Sequence, residues 1–151
     1  MVRNKVPLPW PYLTELARRA QIDAATEESV AIRRLTPLRN ELIDWTYREF
    51  VERARTRGVV PVFIYLPWLG EDPGLGLAID VKRRATVAGF VVLDLAGAFG
   101  AEDTKMLRVA VWDTHPNARG HALLARKLYA EVRAHERDIY HAPTVGAAAG
   151  K

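Results

Sequence analysis

One pattern, written twice, constrains this chain more than any other: a helix-period segment, a glycine, then an unbroken apolar run. The first copy spans about Thr36 to Arg57, where Leu38, Leu42 and Trp45, with Ile43, Tyr47, Phe50 and Ala54 on the adjoining row, make one apolar stripe. Thr36 suits the N-cap and Pro37 the first helical position. Gly58 follows as terminator. Val59 to Leu66, closed by Pro67, then reads as a parallel strand with apolar residues on both faces, covered by helices on each side. In the second copy Leu77, Val81 and Ala85 carry a helix from Leu77 to Ala88, Gly89 ends it, and Phe90 to Leu95 is the strand. The repeat predicts an α/β layered fold with a parallel sheet and right-handed crossovers.

The rest of the chain adds less regular structure. Pro7, Pro9 and Pro11 hold the start extended, and Tyr12, Leu13, Leu16 and Ala20 support a short helix from Tyr12 to Ala20. Ala24 to Ser29 is polar and reads as a connection. Leu107 to Trp112 is a short strand or an extended segment. A last helix from Ala118 to His135 is expected to bury Leu124, Leu128 and Val132, with Ala125 and Tyr129 beside them. Together these predict one domain over 1–140, of which 1–35 is lead-in and short helix, and a flexible tail over 141–151. Two parallel strands, or three, fall short of the roughly five or six in an average sheet. They would leave an apolar edge unpaired, so the sequence reads as part of a sheet.

Composition removes whole classes of chemistry. The 151 residues contain no cysteine, which excludes disulfides, thiol nucleophiles and thiolate zinc sites, and Ser29 is the one serine. The net charge of +4 is spread evenly: segments 1–58 and 59–151 each hold 11 basic residues, against 8 and 10 acidic ones. Arg18-Arg19, Arg33-Arg34 and Arg83-Arg84 read as solvated helix faces, and nothing supports nucleic-acid binding. No apolar stretch approaches the ~18 residues of a membrane span. Pro7, Pro9 and Pro11 interrupt what a signal peptide would need as its apolar core, leaving the cytoplasm as the default compartment.

The chemistry concentrates in Val111-Trp112-Asp113-Thr114-His115-Pro116-Asn117-Ala118-Arg119-Gly120-His121. A carboxylate two positions before a histidine, where an extended segment opens into a helix, can fix the imidazole tautomer and stabilise its cation. Either Asn117 caps the helix, or His115 occupies that junction with Pro116 at the first helical position. Gly120 lets another backbone approach closely, and His121 is expected on the inner face of the helix.

These residues resemble a family. Asp-x-His-Pro-Asn-x-x-Gly-His followed by Ala-Leu-Leu-Ala-Arg-Lys-Leu-Tyr is similar to the C-terminal block of SGNH/GDSL-type hydrolases, and the likeness extends over about Thr36 to Arg133. It implies a flavodoxin-like three-layer α/β/α fold with a parallel sheet, of which 1–140 would be the C-terminal portion, incomplete on its N-terminal side, and hydrolysis of ester bonds without metal or organic cofactor. His115 would be the general base and Asp113 its orienting carboxylate, with Asn117, Gly120 and His121 shaping the turn. The substrate would be a small-molecule, carbohydrate or lipid ester. Only Thr114 separates Asp113 from His115, where the family commonly has two residues, and no Gly-Asp-Ser block is present.

Ser29, in Thr26-Glu27-Glu28-Ser29-Val30, has no preceding strand, no turn glycine and two acidic neighbours, so it does not replace the missing nucleophile. The chain alone is therefore expected to be inactive, supplying the His–Asp part of a triad whose serine comes from elsewhere. The alternative is a noncatalytic remnant that binds a complementing chain, or a second copy of itself, through the open sheet edge. Trp68, just after the first strand, is a candidate substrate contact, and Asp94 reads as a strand-end carboxylate. His135 and His141 read as solvated, and the histidine spacing suits no metal. Gly74-Leu75-Gly76 is too short for a phosphate loop.

Overall fold

The two glycines close their helices with the same hydrogen-bond pattern. In the computed structural model, which describes residues 8–69 and 76–140, Gly58 (φ +68°) donates to the Arg55 carbonyl and Val59 to that of Ala54. Gly89 (φ +101°) donates to Thr86 and Phe90 to Ala85. Each is a Schellman closure, which requires the left-handed backbone that glycine adopts without a Cβ clash. The helices so ended are α3 (Arg39–Thr56) and α4 (Gly76–Ala88), and the strands that follow are β1 (Val62–Tyr65) and β2 (Val91–Asp94). The strands pair in parallel, Val62 opposite Val91 through Tyr65 opposite Asp94. The expected repeat is present, as a mixed α/β chain with a two-stranded parallel sheet.

The residues cluster into two compact units, 1–45 and 46–151. In the first, α1 (Pro11–Arg19) is followed by α2 (Glu28–Leu35), a 3₁₀ turn over Thr36–Leu38 and the start of α3. Helix α2 corrects the expected connection: it begins at Glu28 and carries Ser29. Its ends complement the helix dipole, with Glu28 in the first turn and Arg33 and Arg34 in the last. Thr36 is likewise not the N-cap of α3. Its hydroxyl donates back to the Ile32 carbonyl at 2.8 Å, closing α2 instead. Tyr12 stacks on Trp45 at 4.6 Å, and Arg19 grips Glu41 through both guanidinium nitrogens, at 2.6 and 2.9 Å. The Tyr12 hydroxyl donates to the same carboxylate at 3.1 Å. Arg18, Arg19, Arg33, Arg34 and Arg83 are exposed as read, while Arg84 is half-buried; ion pairs join Arg18 to Glu15, Arg19 to Glu41, and Arg83 and Arg84 to Asp80.

In the second unit, Tyr47 and Phe50 of α3 meet Phe63 of β1 and Phe90 in an aromatic cluster with centroids 5.5–5.9 Å apart. Burial there pushes the Tyr47 phenol above its ordinary pKa. Both α4 and α5 (Ala118–Ala134) pack on β2, whose Leu93 is 1% exposed. Strand β1 lacks that cover: Ile64, the register partner of Leu93, is 44% exposed. This corrects the expectation of a strand covered on both sides.

No third parallel strand forms among the described residues. Instead Thr104–Leu107 is a 3₁₀ turn leading into an antiparallel hairpin, β3 (Arg108–Ala110) and β4 (Asp113–Pro116), in a sheet of its own. Helix α5 begins where expected and half-buries Leu124, Leu128 and Val132, but Ala125 and Tyr129 face solvent. A short α6 (Glu136–Tyr140) follows. The tail from His141, and Gly74 and Leu75, lie outside the described residues.

Candidate active-site hairpin

Position in the hairpin explains how His115 is held. Arg108 pairs with Pro116 and Ala110 with Asp113, so Thr114 and His115 together oppose Val109, a one-residue bulge. Bulges re-aim a side chain out of the strand's alternation. The local cause is Asp113, whose Oδ1 accepts the His115 backbone N–H at 2.9 Å and takes that amide out of the ladder. The same oxygen lies 2.6 Å from His115 Nδ1. These two contacts, backbone first and ring second, hold the Asp113 carboxyl below its usual pKa. An Nδ1–H donated to a carboxylate leaves Nε2 as the basic nitrogen. The His115 side chain is 78% exposed and Asp113 24%, so the carboxylate is sheltered while the ring is accessible.

Asn117 fixes the exit from β4. Its Oδ1 accepts from the backbone of Arg119 and Gly120 at 3.0 and 3.1 Å, an N-cap for α5. Its Nδ2 donates to the carbonyls of Met106 and Arg108 at 2.9 and 3.1 Å, and its own N–H donates to Leu107 at 2.7 Å. One side chain thus ties the helix start to the strand before the hairpin, and of the two junction readings the structure takes the Asn117 cap. Gly120 is the packing counterpart: a Cβ there would sit 2.9 Å from Pro116 Cβ and 3.2 Å from the Leu107 carbonyl oxygen. Leu107 itself is fully buried in a cluster with Leu69 and Phe99, against which Leu123 and Leu124 pack. The hairpin is therefore anchored to core at its base.

The other candidates take no part in the Asp113–His115 hydrogen bonds. His121 does not face inward; it is an exposed residue of α5 whose amide donates to Asn117. Trp68 follows the carboxyl end of β1 and is 69% exposed. Asp94 holds Lys82 at 2.7 Å and caps Ala96 at 2.9 Å, the strand-end role expected of it. His135 caps α5 and lies 3.4 Å from Asp138. Ser29 is exposed on α2 in the first unit, behind an N-cap residue, Glu27, that makes no side-chain cap. Among the described residues no three His, Asp or Glu side chains converge on a metal position. A groove of about 380 Å³ lined by Arg48, Val51, Glu52, Arg55, Thr56 and Ala88 includes neither member of the pair.

The hairpin itself is not legible in the sequence. Its two-residue tip is Val111-Trp112, without the Asn, Asp or Gly that announces such a turn. The one signal for the bulge is the Asp-x-His spacing, which lets a carboxylate close onto the amide two residues ahead. No family model, curated protein or solved structure matches the chain. No helix among the described residues is long and apolar enough to cross a membrane.

Proposed function

We propose that this chain carries the general base and orienting carboxylate of an ester hydrolase of SGNH/GDSL type, His115 and Asp113. The observation that supports this best is the 2.6 Å contact between Asp113 Oδ1 and His115 Nδ1 on an exposed ring. In this reading Nε2 of His115 takes the proton of a serine hydroxyl as its oxygen attacks the ester carbonyl. The imidazolium then returns that proton to the leaving alkoxide, and Asp113 stabilises the cation between the two steps. Ser29 lacks the strand-to-helix turn that would present a nucleophile, so the serine belongs to another polypeptide segment.

An activated ester tests the pair without needing that serine, because p-nitrophenyl acetate acylates an accessible imidazole directly. The full chain is expected to hydrolyse it slowly, and His115→Ala to remove most of that rate while His135→Ala leaves it. An unchanged rate in His115→Ala would sink the assignment.

The second reading, a noncatalytic module that binds a complementing chain, is favoured by β1, where Ile64 (44%) and Leu66 (58%) are exposed beside a covered β2. It predicts a folded chain in which His115→Ala changes nothing measurable and Ile64→Lys prevents assembly.

A further inference from the structure

The most exposed apolar residues described in this protein are consecutive and lie at one point: Val111 is 95% and Trp112 85% exposed, and they form the whole tip of the β3–β4 hairpin. Met106 (72%) in the 3₁₀ turn at the hairpin base and Val109 (57%) in β3 are also exposed. With both tip residues at negative φ the turn geometry asks for no particular residue, and solvation disfavours large apolar side chains such as Val and Trp there. Nothing in the local fold calls for them, since the tip contributes to no core cluster and both residues keep negative φ.

We propose that the Val111-Trp112 tip is an interfacial anchor that seats in a neutral lipid–water surface and carries the Asp113–His115 pair to the depth of lipid ester bonds. The second half of this rests on the hydrolase reading, whereas the first does not. Three features select the occupant. A tip led by one Trp offers on the order of a few hundred Å², below the roughly 800 Å² per partner of a stable protein interface. Tryptophan favours the boundary between apolar and wet surroundings, where its ring is buried and its N–H stays hydrated. The hairpin's own formal charges balance, Arg108 against Asp113, and in the flanking segments exposed Lys105 is matched by exposed Asp103 and Arg119 is held by Glu102 at 2.7 Å. A neutral surface therefore fits better than an anionic one.

Geometry then places the chemistry. His115 is three residues from Trp112, a reach of at most about 10 Å. The polar layer of one leaflet is about 5–8 Å deep. A Trp112 ring at the acyl boundary thus leaves His115 among the headgroups, the level at which acyl esters join their alcohols. The substrate class this implies is an ester presented in a lipid aggregate.

The test is co-sedimentation of the full chain with phosphatidylcholine vesicles, alongside a Val111→Ser/Trp112→Asn double variant whose fold is checked by its thermal transition. Binding is expected to be insensitive to added salt and to fall at least about tenfold in the variant. Equal binding by a folded variant would overturn the proposal. So would binding that requires anionic lipid and disappears with salt, or a concentration-dependent dimer of the parent chain that the variant dissolves. Should the variant fail to fold, Trp112→Ala read by vesicle binding decides in its place, with the same expected loss. Vesicle binding involves no turnover, so its failure and the failure of the hydrolase reading appear in different measurements.

Discussion

Asp113 Oδ1 binds His115 twice, at the backbone amide (2.9 Å) and at ring Nδ1 (2.6 Å), so one carboxylate oxygen sets both the strand bulge and the ring tautomer. The two effects separate in a variant. Asp113→Asn keeps an amide oxygen for the backbone contact but removes the negative charge that stabilises the imidazolium. The hairpin should persist while the ring loses its fixed tautomer, its nitrogen NMR shifts moving toward the mixture of a free imidazole where the parent shows one form. In a reconstituted hydrolase the same change should cost on the order of 10⁴ in kcat, as loss of the triad carboxylate function does elsewhere. Ring nitrogen shifts that do not move would show that Asp113 does not act on the ring.

The same contacts define a pH window. Asp113 titrates below the ordinary carboxylate range, chiefly because the His115 amide donates to it and secondarily because the ring does. A depressed folded-state pKa contributes stability above the unfolded value of about 4, and that stability is lost as pH falls through the folded-state value. Protection of the His115 amide, its exchange rate relative to the intrinsic rate at the same pH, should therefore hold through mildly acidic pH and fall only below the usual carboxylate range. Protection lost already in mildly acidic solution would show the bulge is held by something else.

Asn117 is a cap that an equally good capping residue should not be able to replace. Asn117→Asp retains the acceptor for Arg119 and Gly120 and adds favourable charge at a helix start. It also turns Nδ2 into an oxygen facing the Met106 and Arg108 carbonyls. Two lost bonds and a lone-pair clash outweigh a helix-dipole gain of about 0.3–1 kcal/mol. Urea midpoints should rank the parent above Asn117→Asp by about 1–3 kcal/mol; a stabilised Asp variant would refute the donor role.

At Gly120 the constraint is space. An alanine Cβ would meet Pro116 at 2.9 Å and the Leu107 carbonyl at 3.2 Å, and Leu107 is fully buried, so neither neighbour yields cheaply. Gly120→Ala should cost about 1–3 kcal/mol as an overpacking change, although alanine is the better helix former by about 1 kcal/mol. Thermal unfolding that is unchanged or improved would contradict this.

The parts legible in the sequence are those in which one residue type has one physical use. Gly58 and Gly89 can be placed because a helix end followed by an apolar run leaves glycine little else to do. Asn117 and Gly120 are readable from their offsets to the helix that follows. The hairpin is hidden because Val111-Trp112 carries none of the residues that announce a turn, and α2 because it is only eight residues long and starts after Glu27, which makes no side-chain cap. For His121 the spacing to Leu124 and Ala125 points inward, yet Ala125 itself faces solvent and the histidine goes with it. Exposure of β1 cannot be read at all, since a strand's apolar faces do not record whether anything covers them.

The two terminating glycines, equivalent in sequence logic, should differ in tolerance. Gly58 has φ +68° and nothing within 4 Å of where an alanine methyl would sit, so Gly58→Ala should cost only the left-handed penalty, about 1–2 kcal/mol. Gly89 has φ +101°, further from any basin an L residue favours, and a Cβ there would lie 2.6 Å from Arg55 Nη2. That guanidinium donates to the Gly89 carbonyl at 3.0 Å, joining the end of α3 to the turn before β2. Gly89→Ala must therefore both strain the backbone and displace Arg55, and its urea midpoint should fall further than that of Gly58→Ala. Arg55 is long and exposed, so the clash component is relieved by shortening it. In an Arg55→Ala background the cost of Gly89→Ala should shrink toward that of Gly58→Ala, with a coupling of about 0.5–1 kcal/mol in a double-mutant cycle. Strict additivity would mean that the backbone alone sets the difference and that Arg55 moves aside without cost.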